Sequence, residues 1–394
     1  MNRKHVILIL IFMLLTAGIY ACGGSSMRAS ADAASADASA AEEDGPQITG
    51  SMELLYAEQF SVDYCADGCA VITIAGTDTF LLVPEDMEVP DYADGMTVIC
   101  QPLSDIYLAA SSAMDLFVEL DALERISFTS TVQESWSIEE AAAAMESGNL
   151  IYVGKYSAPD FETLLSDGCS LAIESTMIYH SPEIQEQLIN LGIPVLVERS
   201  SYETHPLGRA EWIRLYGLLT GCEEEAEALF ARKAQAFEEI LAMVSEEPAQ
   251  EQTAAYFYIT SAGAVNIRKP ADYIAKLIEY AGGTYAFTEE DLDLTEDNAL
   301  STMTIQFEAF YEKAKDADVL IYNSSIAGEL ETVDQLTELN VLFAEFTAVQ
   351  TGDVWCTEKD MFQQSGAAAD ILAEFYAIFT GTAEEQMQFF HKLE

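Results

Sequence analysis

Between residues 97 and 379, short β-rich runs alternate with helical stretches, and one long helix interrupts the alternation. In the first half the β-rich runs are MTVICQP (96–102), ERISFTS (124–130), NLIYVG (149–154), CSLAIES (169–175) and IPVLVER (193–199). Helical spacing falls over 105–123, on Ile106, Ala109, Met114, Phe117 and Leu120, and again in FETLLSDG (161–168) and SPEIQEQLINLG (181–192). Ser181 followed by Pro182 reads as a helix start, and Gly192-Ile193-Pro194 as its stop. A repeated β-then-α pattern requires parallel strands joined by crossover helices. Residues 222–245 then carry the longest helical signal, with Ala226, Leu229, Phe230, Phe237, Ile240 and Leu241 on one stripe. The alternation restarts with AAYFYITS (254–261), DYIAKLIEYAGG (272–283), IQFEAFYEKAKDA (305–317) and DVLIYNS (318–324), and closes on a helix over 367–379.

The pattern predicts two α/β lobes with mostly parallel sheets, one connecting helix and a cleft between the lobes. Residues 50–221 form the first lobe, 222–247 the connecting helix and 248–394 the second lobe. Ahead of the alternation, residues 52–83 show period-two runs (FSVDY, AVITIAG, TFLLVP) parted by turn residues, which read as extra strands.

A chain of 394 residues, half of them hydrophobic, is long enough for two packed domains. Its 17 basic and 67 acidic side chains give a net charge of −50. That balance excludes a general nucleic-acid binder, which needs cations against phosphates, and a protein held on anionic lipid by its own charge. The apolar fraction is too high for a disordered acidic chain, so the carboxylates belong on the surfaces of folded lobes.

Residues 1–21 carry Arg3 and Lys4, then an apolar run from Val6 to Leu15 and a small-residue end, which is the pattern of an export signal. The segment closes on Ile19-Tyr20-Ala21-Cys22-Gly23, which resembles the lipobox of bacterial lipoproteins, in which the cysteine is acylated and becomes the mature N-terminus. An ordinary cleaved signal and a retained anchor helix are the rival readings. Cleavage before Cys22 leaves 15 basic against 67 acidic side chains, a balance of −52. Residues 22–49, rich in Ala, Ser and Asp, read as a flexible tether. The expected location is extracytoplasmic, lipid-anchored to the cell membrane without crossing it, as a monomer.

No sequence signature of catalysis is present: there is no GxSxG, HExxH, P-loop or GxGxxG turn. Only His180, His205 and His391 remain beyond the signal. An enzyme is not expected, nor is an intrinsic cofactor. Six cysteines follow Cys22; Cys65 and Cys69 flank a hairpin turn close enough to be bridged, and the other reading makes all six small buried hydrophobes. No spacing matches a zinc ribbon or a CxxC redox pair, so no metal site of the protein's own is expected.

Five stretches carry a family resemblance: LFVELDALERI (116–126), FETLLSDGCSLAIES (161–175), LGIPVLVERSSYETHPLGRAEWIRLYGLLTG (191–221), DYIAKLIEYAGG (272–283) and FEAFYEKAKDADVLIYN (307–323). Over roughly 97–380 the chain resembles the solute-binding lipoproteins of ABC importers for iron–siderophore complexes, haem and cobalamin, which have two α/β lobes joined by a rigid backbone helix. The resemblance implies capture of an iron chelate, haem or corrinoid in the interlobe cleft and delivery to the importer's membrane subunits. It also implies that Glu162 and Glu308, with Glu312 as an alternative to the latter, dock into those subunits.

Ligand sites in open α/β sheets lie beyond the carboxyl ends of strands. Read this way, the first lobe offers Ser104, Tyr107, Lys155, Tyr156, Thr176, Met177, Tyr179, His180, Arg199 and Tyr202. The second offers Ser261, Asn266-Ile267-Arg268-Lys269, Asn323-Ser324-Ser325 and Asp360-Met361-Phe362-Gln363. Lys155, Arg199, Arg209, Arg268, Lys269 and Lys359 concentrate scarce cations near these loops, which points to an anionic chelate. His180, Tyr202 and Met177 are types that can ligate haem iron; the alternative for His180 is a hydrogen bond to the following helix start, and for Tyr202 packing in the cleft wall. A bare-metal site, the alternative within transport, would draw on His180, His205, Glu174 and Glu198.

Overall fold

A computed structural model describes residues 45–290, 292, 301–358 and 360–394. The expected signal, lipidation at Cys22, nearly all of the tether and Lys359 lie outside these residues. The first strand starts at Ile48, inside the stretch read as tether.

An amino-terminal sheet of five strands comes first: β1 (Ile48–Ser51), β2 (Phe60–Cys65), β3 (Ala70–Ile74), β4 (Asp78–Val83) and β5 (Thr97–Cys100). It is an antiparallel meander until β5, which pairs with β4 in parallel. MTVICQP is therefore the last strand of this extra sheet, and the β/α alternation begins one strand later than the sequence pattern places it.

The first lobe runs β6 (Ile106–Leu108), α1 (Met114–Glu119), β7 (Ile126–Thr129), α2 (Glu139–Ser147), β8 (Ile151–Tyr152), the short hairpin β9 (Gly154–Lys155) and β10 (Ala158–Pro159), α3 (Phe161–Ser166), β11 (Leu171–Ser175), α4 (Pro182–Asn190) and β12 (Val195–Glu198). Its sheet is wholly parallel, in the order β12-β11-β6-β7-β8. The helix expected over 105–123 is a strand and a short helix. Ile106 and Leu108 face one core, Tyr107 and Ala109 the other, so both faces are apolar. A strand buried on both sides reads as a continuous apolar run, and here that run happens to match helical spacing.

Two antiparallel helices, α5 (Pro206–Thr220) and α6 (Glu223–Glu246), link the lobes. Gly221, at φ +79, turns the chain between them. A Cβ on Gly217 would lie 2.3 Å from the Ala226 Cβ, so the glycine is what lets the two helices approach.

The second lobe runs β13 (Thr253–Ile259), β14 (Val265–Arg268), α7 (Tyr273–Tyr280), β15 (Thr284–Tyr285), β16 (Thr302–Ile305), α8 (Phe307–Ala314), β17 (Val319–Tyr322), α9 (Ser324–Ala327), α10 (Val333–Leu339), α11 (Thr347–Thr351), β18 (Val354–Thr357), α12 (Asp360–Gln363), α13 (Ala368–Thr380) and β19 (Phe390–Lys392). β15, β13, β17 and β18 are parallel, and β14, β16 and β19 are antiparallel additions. Its core centres on Phe257, Phe310, Phe343 and Phe346, and Phe237 of α6 joins it.

Buried carboxylates fasten the amino-terminal sheet to α5. Glu211 accepts the backbone N–H groups of Leu55 (2.9 Å), Tyr56 (2.7 Å) and Ala57 (2.8 Å). Glu203 accepts those of Glu58 (2.7 Å) and Gln59 (3.1 Å), and the Trp212 indole N–H at 2.8 Å. Charge-assisted bonds to backbone donors offset the cost of burying each carboxylate.

Candidate ligand-binding cleft

The central strands of both sheets point their carboxyl ends at one cavity of about 470 Å³. Ser111 follows β6, and Thr131 and Ser135 follow β7. Ser324, Ser325, Gly328 and Glu329 follow β17, and Phe362 and Gln363 follow β18. The described lining is thus mainly hydroxyl groups, with one aromatic wall, one amide and one carboxylate. A larger groove of about 590 Å³ lies between β4, β5 and the turn from α4 to β12. Its described lining includes no residue of the second lobe.

Hydrogen bonds close the floor of the cleft. Gln363 Oε1 accepts the Ser137 N–H (2.9 Å) and hydroxyl (3.0 Å), while its Nε2 donates to the Ser135 carbonyl at 2.7 Å. The Ser365 hydroxyl donates to the Ser112 carbonyl and accepts from buried Arg209, whose guanidinium lies 4.2 Å above the Tyr273 ring. The Gly366 N–H donates to Asp115 at 2.7 Å, and Lys233 of α6 bridges Glu119 and the Gly366 carbonyl. Burial pushes the Asp115 carboxyl up to about 7, against the opposing pull of that N–H.

Of the loops predicted to carry ligand, those of the second lobe reach the cavity with Ser324, Ser325, Phe362 and Gln363, and none of the residues named for the first lobe is in its described lining. Tyr179, Arg199 and Tyr202 do come together, at the β11–β12 edge. Arg199 donates to Tyr179 Oη (3.1 Å) and to Gln59 (3.0 Å), with its guanidinium 4.6 Å over the Tyr202 ring. Thr176, Met177 and His180 share the short helix after β11, with Met177 and His180 exposed. Lys155 and Tyr156 follow β8 at the opposite edge, four strand spacings or about 19 Å away. Exposed apolar side chains sit on these same rims: Val132, Tyr152, Met177 and Tyr179 on the first lobe and Ile326 on the second.

Several expectations fail on geometry. Ser104 lies before β6, at the amino end of the sheet, and Tyr107 is wholly buried inside that strand. Both follow from taking MTVICQP, the last strand of the amino-terminal sheet, as a strand of this lobe. Arg268 is half-buried and paired with buried Asp272 at 3.4 Å, packed between Tyr256 and Tyr273. Because β14 runs antiparallel to β13, Arg268 pairs beside Tyr256 and Lys269 continues in the same direction, away from the cleft lip. Asn266, nearer that lip, donates to Thr304. Met361 is fully buried. Arg209, Arg268 and Arg199 thus have protein partners, which removes much of the basis for an anionic cargo. Cys65 and Cys69 are opposed across the hairpin as free thiols.

The groups named for a bare-metal site are dispersed. His205 caps α5 by accepting the Leu207 N–H and stacks on Tyr56 at 4.5 Å. Glu198 accepts from Ser200 N–H (2.7 Å) and the Ser112 hydroxyl, and burial raises its pKa. Glu174 is wholly buried on the other core's face with neither oxygen bonded, and burial raises it to about 8. His391, which no site reading used, ties two cleft loops together. It contacts Glu358 Oε1 at 2.5 Å and the Leu330 carbonyl at 2.7 Å; contact with Cys356 and these partners, opposed by burial, raises it to about 10. The serines and threonine of the first-lobe wall gave no sequence signal, since isolated hydroxyl residues in loops are common.

Two lobes presenting sheet ends to a shared cavity form the interdomain setting that small-molecule sites favour. The chain belongs to the periplasmic binding protein family, whose sequence profile matches residues 109–361. It is 26% identical over 306 residues to the uncharacterized lipoprotein MJ0878 of Methanocaldococcus jannaschii, covering 72% of this chain and 68% of that one. A periplasmic binding protein from Veillonella parvula superposes with a TM-score of 0.60 at 13% identity, over 80% of this chain and 98% of that one. A periplasmic haem-binding protein from Pseudomonas aeruginosa gives 0.58 at 15% identity, over 74% and 98%. Among the described residues, no helix is long and apolar enough to cross a membrane.

Proposed function

We propose that the protein is a lipid-anchored solute receptor that captures a metal chelate (an iron–siderophore complex, haem or a corrinoid) between its lobes and passes it unaltered to an ABC importer. The observation that carries this reading is the cavity lined from both lobes by the carboxyl-end loops of β6, β7, β17 and β18. Hydroxyl groups and one amide can orient a polar chelate, and the apolar rim suits a ligand with hydrophobic faces. A haem-binding neighbour of the same fold and a relative named as a lipoprotein support the reading. The bare-metal alternative gains nothing from the geometry, since its named groups do not converge.

Glu162 and Glu308 are proposed as the docking residues. Both are exposed, and each lies in the first turn of a helix, α3 or α8, that feeds a parallel strand. Such helices run against the strands, so both residues lie toward the cleft-side end of their lobes. Glu312 is exposed one turn beyond Glu308.

The test is a visible spectrum and mass analysis of protein purified from its native source. A Soret band identifies haem, a broad charge-transfer band an iron siderophore, and a corrin spectrum cobalamin. Chemical conversion of the bound compound by the protein would overturn the reading.

A further inference from the structure

We propose that Cys65, Cys69 and Met87 form a site for a soft monovalent cation, Cu(I) or Ag(I), in the amino-terminal sheet. The site lies outside the family segment at 109–361 and apart from the interlobe cavity. Tyr64 and Ala70 are ladder partners, so Cys65 and Cys69 form the next pair, joined by a 2.8 Å bond from the Cys65 N–H to the Cys69 carbonyl. Both side chains are buried on one face, in a small core with Leu81, Val83 and Ala93, against which Met87 and Met96 pack.

The spacing of Cys69 and Met87 fits a shared metal. Cys69 Sγ stands 3.8 Å from Met87 Sδ. Two sulfurs bound to one ion at about 2.3 Å are separated by about 3.8–4.0 Å in tetrahedral or trigonal geometry. Tyr92 packs against this core, and its hydroxyl is fixed by donation to Asp67 at 2.5 Å. The other Asp67 oxygen accepts the Cys69 N–H at 3.1 Å, so this carboxylate is committed to the shell around the sulfurs.

The donor set selects the ion. Among the described residues, no three His, Cys, Asp or Glu side chains converge on a metal position, which leaves zinc and harder cations unserved. Two thiolates with a thioether, in an apolar pocket, match a soft ion that accepts low coordination. On binding, two metal–thiolate bonds form, the two S–H protons leave to solvent, and Met87 contributes a neutral lone pair. No electron is transferred.

The experiment is a titration of the full chain, reduced and kept free of oxygen, with Cu(I) or Ag(I) against a chromophoric chelator. Wild type and Cys100→Ser should each bind one tight equivalent. Cys65→Ser and Cys69→Ser should lose it, and Met87→Leu should bind roughly tenfold more weakly. X-ray absorption of the Cu(I)-loaded wild type should show only sulfur neighbours, at about 2.2–2.3 Å. Equal binding by wild type and Cys65→Ser would overturn the site, as would a nitrogen or oxygen shell. So would a Cys65–Cys69 disulfide that persists under conditions that reduce the chain's other thiols.

Discussion

Gln363 of the second lobe accepts both the backbone N–H and the hydroxyl of Ser137 of the first, at 2.9 and 3.0 Å. With the bond from its amide nitrogen to Ser135, this one side chain makes three of the hydrogen bonds that join the two lobes at the cavity floor. Gln363→Ala should loosen that contact and weaken chelate binding about tenfold, since each net hydrogen bond is worth about 1 kcal/mol and part of the loss is recovered by water. Small-angle scattering should show a larger radius for the unliganded variant. An unchanged radius and affinity would remove the role given to this residue.

Glu211→Ala should cost about 3 kcal/mol in urea unfolding, because it leaves the N–H groups of Leu55, Tyr56 and Ala57 without an acceptor beneath the amino-terminal sheet. Glu211→Gln, which keeps an acceptor oxygen, should cost less. A loss under 1 kcal/mol for the alanine variant would mean the sheet is held by packing alone.

Glu174 makes the fold sensitive to alkali. Its carboxyl, ordinarily near 4.5, titrates at about 8 in the folded chain, because burial disfavours the charged form. Between those values the unfolded state has lost a proton that the native state retains. Stability therefore falls as pH rises through the window, by at most about 1.4 kcal/mol per pH unit for this group. Asp115 acts in the same direction below about 7. Glu174→Gln removes the first contribution, so its stability should decline less steeply than wild type between pH 5 and 8 in matched urea titrations. Parallel curves would contradict the assignment.

Charge reversal of the docking acids should separate binding from transport. The double variant Glu162→Arg with Glu308→Arg should keep chelate affinity within about twofold, since both residues are exposed and neither lines the described cavity. Uptake in cells that depend on this receptor should be abolished. Normal uptake would remove the docking proposal.

The lobe plan was legible because β/α alternation is written in hydrophobic period, and α6 shows a stripe of 24 residues without a breaker. The site was less legible. Taking β5 for a strand of the first lobe, and β6 for the start of a helix, sent the search to Ser104 and Tyr107, whereas the loop that reaches the cavity begins after Leu108 and delivers Ser111. Cation counting likewise failed at Arg268, because nothing in one sequence reveals that Asp272, a single helical turn on, is its buried partner. Ser324 and Ser325 were found because they follow the run DVLIYN, whose strand spans Val319–Tyr322.

The most direct test is an equilibrium titration, followed by tryptophan fluorescence, of wild type and Ser324→Trp with a ferric trihydroxamate, a ferric tris-catecholate, haem and cobalamin. At least one of these should bind wild type one to one and be recovered with its mass unchanged. The indole at 324 should fill the interlobe cavity and weaken that binding at least 100-fold, about 2.7 kcal/mol. Equal affinity in the two proteins, or a ligand recovered in altered form, would contradict the account.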